Sequence, residues 1–263
     1  MATRTISEAG GNWNSTSAWV EEAVPTSADD IVATSKSGNL TINVEASCRH
    51  ADFTNYTKTL THNAVSWNIH GDLKFVPGMT YSASTNTRII NFQSTAAGTK
   101  ITTAGKTLQR VNFKGTGEWV LQDNFLSASV VTLEGSGKID ATGVESVKFG
   151  TFIASAATAG SEVKMGAATW ESTTTTGTTV FNVSPAALTV SGEAATLVVN
   201  SGGLSADTVI SLGTKTIGTV TWKAQINQNA FTVTHTGATI GTFNFVCEKG
   251  NATNVLVITK SQT

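Results

Sequence analysis

Ala64-Val65-Ser66-Trp67, Gly115-Thr116-Gly117-Glu118-Trp119, Gly166-Ala167-Ala168-Thr169-Trp170 and Gly218-Thr219-Val220-Thr221-Trp222 each end a small or polar run on a tryptophan, at intervals of 52, 51 and 52 residues. Near-constant spacing of this size is the signature of stacked units, so the chain reads as a coiled β-solenoid. Three short faces of roughly seven residues each give a coil of about 20–26 residues. On that geometry Trp67, Trp119, Trp170 and Trp222 recur every second coil, at equivalent positions on one side of the rod.

The strands between these markers alternate with period two. Leu40, Ile42 and Val44 share one face, with Thr41 and Asn43 opposite. Similar runs recur at Trp67-Asn68-Ile69, Arg88-Ile89-Ile90-Asn91-Phe92, Arg110-Val111-Asn112-Phe113, Trp119-Val120-Leu121, Val130-Val131-Thr132-Leu133, Val147-Lys148-Phe149 and Leu197-Val198-Val199. Glycine-bearing turns separate them, and no long 3.6-period segment intervenes, which makes the fold all-β. Residues 1–35 differ, being dense in Trp13, Trp19, Glu21, Glu22, Pro25, Asp29 and Asp30, and read as a cap or attachment segment on a solenoid of residues 36–263. Within it, the strands from about 206 to 263 form a capping or oligomerisation part. The Thr- and Ser-rich runs between 155 and 195 read as flat outer faces or loops of coils.

Composition narrows the class further. Charged residues are 13% of the chain, about half the usual share near 25%, while 45 residues are threonine and 24 glycine. Threonine suits a pleated, half-exposed surface, so hydroxyls do the solubilising that charges usually do. A net charge of −1 with no basic block excludes an electrostatic footprint for nucleic acid or an acidic membrane. Cys48 and Cys247 stand 199 positions apart, so no disulfide framework holds the fold. The first residues lack an apolar signal region and no stretch reaches 18 apolar residues, giving the expectation of synthesis in a host cytoplasm without export.

Cys48-x-His50-x-Asp52 followed by His70-x-Asp72 is the best constellation for chemistry. If residues i, i+2 and i+4 share a strand face and the coil is about 20 residues, His50 stacks on His70 and Asp52 on Asp72. Thiolate, imidazole and carboxylate are transition-metal ligands. The plainer reading, and the one adopted, is a solvated ladder with no metal, because Trp67, Ile69 and Leu73 take the alternate, inward face. For glycoside cleavage the closest carboxylate pairs are Glu118 with Asp123 and Glu134 with Asp140. Both flank turns, where acids are common, and Asp29-Asp30 reads as a turn pair. No phosphate loop or nucleophile elbow occurs, so no catalytic or cofactor-binding residue is assigned. The tryptophans read as core rather than as a glycan-stacking row.

The opening stretch Gly10–Val32, GGNWNSTSAWVEEAVPTSADDIV, and the following LTINVEASCRHADFT at 40–54 resemble the start of β-solenoid proteins of tailed bacteriophages. Val131-Thr132-Leu133-Glu134-Gly135-Ser136-Gly137-Lys138 and Asn200-Ser201-Gly202-Gly203-Leu204 are similar to their coils. The resemblance implies a right-handed parallel β-helix serving as a non-enzymatic virion protein, such as a tail fibre, tail-associated or head-decoration component. It implies partners among other virion proteins and no catalytic motif. The alternatives are a tailspike that binds or depolymerises host surface glycan, and a bacterial adhesin. Val255-Leu256-Val257-Ile258 is apolar and uncharged, a sticky edge that is expected to be covered by symmetry mates in a homotrimer.

Overall fold

The computed structural model describes residues 1–83, 87–173, 179–201, 208–224, 230–247 and 255–260, with backbone alone at 201, 224, 230, 247 and 255–260. It is all-β with about 1% helix, and its parallel sheets form a β-solenoid of about ten turns. Most strands in the first eight turns are two to four residues long, for example Ala51–Asp52, Leu73–Lys74 and Lys138–Asp140. So short a strand offers one or two inward side chains, and only a closed coil stacked on its neighbours gives those side chains a core.

Each turn visits three faces. The first carries Thr3–Thr5, Asp30–Val32, Ala51–Asp52, Leu73–Lys74, Thr99–Thr102, Glu118–Leu121, Lys138–Asp140, Glu162–Lys164 and the start of Thr189–Ser201. The second begins as a four-stranded sheet ending at Thr80–Ser82 and resumes at Phe125–Leu126. Between them a bridge from Leu108 to Ser127 marks the face. The third is a ten-stranded sheet running from Ala46–Cys48 to Val255–Lys260. Along it Trp67 pairs with Ile90, Ile90 with Val111, Val111 with Val131, Val131 with Phe152 and Phe152 with Phe181. These steps range from 20 to 29 residues, so the turn length drifts.

The drift overturns the expected tryptophan repeat. Trp67 lies on the third face, Trp119 on the first, and Trp170 and Trp222 on the second. Two turns from Trp67 end at Val111, and Trp119 is eight residues beyond, one face further round. Even Trp170 and Trp222 are out of step, since Trp170 pairs with Leu197 whereas Trp222 pairs with Val199. All four point inward and are at most 1% exposed. Each sits in an aromatic cluster along the axis: Trp67 with Trp13, Phe53 and Phe75, Trp119 with Phe113, Trp170 with Phe149, Phe152 and Phe181, and Trp222 with Phe231 and Phe245. What recurs is a large ring filling the axis, not a position on the wall.

Among the described residues the ladders run through residue 35 and continue on both sides of residues 202–207. Thr3–Thr5 already pairs with Asp30–Val32, which pairs with Ala51–Asp52, so the first 35 residues form the first turn as well as its cover. The cover is made by residues 18–20 folding back antiparallel: Val20 N–H donates to Thr5 O, Ser7 N–H to Ala18 O, and Ile6 bridges Trp19. Trp19 Nε1 donates to Trp13 O at 2.9 Å, and both rings are buried. At the far end Ile210 pairs with Val233 and Val233 with Ile258. The side chains of Val255, Leu256, Val257 and Ile258 lie outside the described residues, and their backbone forms the last strand of the third face.

Candidate functional site

The sequence placed Cys48, His50 and Asp52 on one strand face, and the structure does not. Ala46–Cys48 closes the third face, Arg49 and His50 turn the corner, and Ala51–Asp52 opens the first. Cys48 therefore points into the core, fully buried, and burial pushes its thiol up to about 12. The turn here is 21–22 residues long, not 20: Cys48 pairs with Ile69 and Asp52 with Lys74. His50 consequently faces Asp72 rather than His70, and Asp52 faces Lys74 rather than Asp72.

His50 lies against Gly71, where a Cβ would come within 2.6 Å of its ring. The Asp72 N–H donates to His50 Nδ1 at 2.8 Å, and the same nitrogen lies 3.4 Å from Asp72 Oδ2. Asp30 is held below the usual carboxylate range by its hydrogen bond with Arg49, whose Nε lies 2.7 Å from Oδ1. Together Asp30, Val32, His50, Asp52, Asp72 and Lys74 line a shallow groove of about 300 Å³ on the first face. Burial holds the nearby His70 below the usual imidazole value. Among the described residues no group of three His, Cys, Asp or Glu is placed to hold a metal ion.

The carboxylates are engaged with backbone. Asp52 Oδ1 accepts from Thr54 N–H and hydroxyl, Asp140 Oδ1 from Thr142 in the same way, and Asn182 Oδ1 from Ser184. Asp72 accepts from Lys100 N–H, and Asp123 from Thr103 N–H. These are corner caps: a chain that turns every few residues leaves amides without a ladder partner, and a short acid or amide side chain satisfies them. The repeated Asp/Asn-x-Thr/Ser spacing was legible in the sequence and was missed. Neither candidate glycosidase pair assembles. Asp123 caps the turn at 103–104 while Glu118 lies outward on the first face beside Lys164, and Glu134 is on the third face while Asp140 is on the first. Instead Lys164 Nζ bridges Glu118 at 2.7 Å and Asp140 at 3.4 Å, and Lys138 approaches Glu162 at 3.6 Å.

The third face carries a feature that sequence reasoning also passed over. Asn68, Asn91 and Asn112 stack in register on its outer side, yet are only 8%, 7% and 4% exposed. Asn112 Nδ2 donates to Asn91 Oδ1 and Asn91 Nδ2 to Asn68 Oδ1, both at 2.8 Å. Thr132 donates its hydroxyl to Asn112 at one end, and Asn68 donates to Glu45 Oε1 at the other. All the donors point one way and the chain ends on a carboxylate, an arrangement in which each bond polarises the next. The second face carries a hydroxyl column, Ser146, Thr169, Thr196, Thr219 and Thr242.

Fold and outer surface together define a parallel β-solenoid whose described polar side chains cap corners within a turn and form ladders between neighbouring turns. No family model, curated protein or solved structure matches the chain. Among the described residues no helix is long and apolar enough to cross a membrane.

Proposed function

We propose that the chain is a non-enzymatic structural component of a tailed-bacteriophage virion, a stiff rod or decoration whose work is assembly with its own kind and with other virion proteins. The observation that carries the structural reading is the engagement of the outer side chains. The asparagine column, the Asp72 and Asp123 caps and the Glu118–Lys164–Asp140 bridge each tie one turn to a neighbouring one, and the groove beside His50 and Asp72 is shallow. Ladders of this kind stiffen a stacked-coil protein along its length, since each turn contacts only its neighbours. The virion placement is carried by the resemblance of residues 10–32 and 40–54 to phage β-solenoid proteins.

Antibody raised against the purified chain, applied to intact particles from the source that encodes it, tests the placement. Labelling at a defined part of the particle supports it, and its absence from particles sinks it. The purified protein should also leave host polysaccharide intact. Cleavage that disappears on Glu118→Gln or Asp72→Asn would make it a depolymerising tailspike instead.

A further inference from the structure

The two ends of the rod are finished differently. At the amino-terminal end, residues 18–20 fold back antiparallel against residues 5–7, and Trp13 and Trp19 close the core at 1% exposure each. At the other end the strand Thr239–Cys247 pairs on one side with Thr216–Ala224, and among the described residues no strand lies on its other side. Its inward positions Ile240, Phe243 and Phe245 continue columns of fully buried Ile217, Val220 and Trp222. Yet Phe245 is 50% exposed while its ring lies 4.8 Å from Trp222, and Ile240 and Phe243 are only partly buried. Residues 239–246 contain no charge and no proline, the two devices that normally keep an edge strand from pairing.

We propose that this end docks a second copy of the chain, tail to tail about a two-fold axis across the free edge of Thr239–Cys247. With no described strand beside it, that edge offers its N–H and C=O groups to another strand, and the half-covered aromatic columns call for an apolar surface against them. The same end of a second copy supplies both. Its amino-terminal end supplies no open core, because Trp13 and Trp19 close it, and its outermost strands Gly11–Asn12 and Ala46–Cys48 are only two and three residues long, so the contact closes as a pair in preference to head-to-tail growth. A strand pairing antiparallel with its own copy about Asn244 sets Phe243 opposite Phe245 of the partner subunit on the core side, with Thr242 and Asn244 outward. The contact is therefore self-complementary in both ring packing and hydrogen bonding. This pairing replaces the trimer expected from the sequence and does not depend on the virion placement.

Light scattering on the purified full chain tests it. The wild type is expected at twice the 27.3 kDa chain mass at micromolar concentration. Asn244→Lys sets two like charges across the axis at an exposed, outward position, and it and Phe245→Glu should each give the single-chain mass with unchanged far-ultraviolet circular dichroism. Because Phe245→Glu also touches Trp222, a third variant guards against misfolding: Asn244→Cys in a Cys247→Ser background should form a covalent dimer under mild oxidation, whereas Lys148→Cys should not. A monomeric or trimeric wild type, a dimer that survives Asn244→Lys, or no cross-link at position 244 overturns the proposal.

Discussion

His62 is fully buried beside Trp67 and is satisfied as a neutral ring. Its Nδ1 lies 2.8 Å from the Tyr81 hydroxyl, which donates to it, and its Nε2 lies 3.0 Å from Val65 O, to which it donates. Burial, with a smaller push from the Arg88 charge, lowers its pKa from 6.5 to about 4, against the opposing effect of the Val65 bond. Between those values the unfolded chain takes up a proton that the fold refuses, so stability is complete above the unfolded pKa and declines as pH falls toward the folded one. The loss amounts to about 2.5 kcal/mol between pH near 7.5 and pH near 4.5, and about 3 kcal/mol in full. His70, also lowered by burial, and the depressed carboxylates Asp29, Asp30, Asp140 and Glu171 add losses of the same sign, the acids at lower pH. His62→Gln keeps one donor and one acceptor but cannot titrate. Urea unfolding of both proteins at the two pH values should show the wild type losing about 2.5 kcal/mol more than the variant on acidification. Equal losses in the two proteins would refute a buried neutral His62.

Gly137→Ala places a methyl 2.5 Å from the Trp119 ring and 2.7 Å from Gly115 O, so thermal unfolding should report a loss of about 2 kcal/mol. Asn91→Leu leaves the Asn112 amide without its acceptor and Asn68 Oδ1 without that donor, and should cost about 2 kcal/mol in chemical denaturation, whereas Thr132→Val, at the end of the column, should cost about 1 kcal/mol. In a Cys247→Ser background Cys48 should resist a thiol reagent in native buffer and react fully in denaturant, since it is buried and its thiol is pushed up to about 12. Rapid native labelling would contradict its inward placement.

The class of fold was legible because alternation is a backbone consequence: Leu40, Ile42, Trp67 and Ile69 had to share the inner side whatever the coil length, and they do. The coil itself was read from the wrong residue. A tryptophan serves the axis equally well from any wall, so its spacing records how often a large ring is needed, not where the wall repeats. The true marker was Trp67-Asn68-Ile69, Ile90-Asn91-Phe92 and Val111-Asn112-Phe113, where an asparagine between two core residues recurs once per turn because its amide must meet the one below. The His50 ladder failed for a related reason. A corner between Cys48 and Ala51 resets which way side chains point, and a turn of 21–22 residues shifts every cross-turn pair assumed at 20. The antiparallel return of residues 18–20 against residues 5–7 depends on contacts that no local pattern encodes.

Successive turns stack parallel with Thr196 beside Thr219, and paired cysteines on the second face test this most directly. Thr196 and Thr219 are direct neighbours on adjacent turns, while Thr169 and Thr219 are two turns apart. Neighbouring strands lie about 4.8 Å apart, within disulfide reach, and two turns span about 9.6 Å, beyond it. With Cys247→Ser in the background, Thr196→Cys/Thr219→Cys should oxidise to an intramolecular disulfide and Thr169→Cys/Thr219→Cys should remain reduced. Cross-linking of the second pair with none in the first would contradict the stacked-turn architecture.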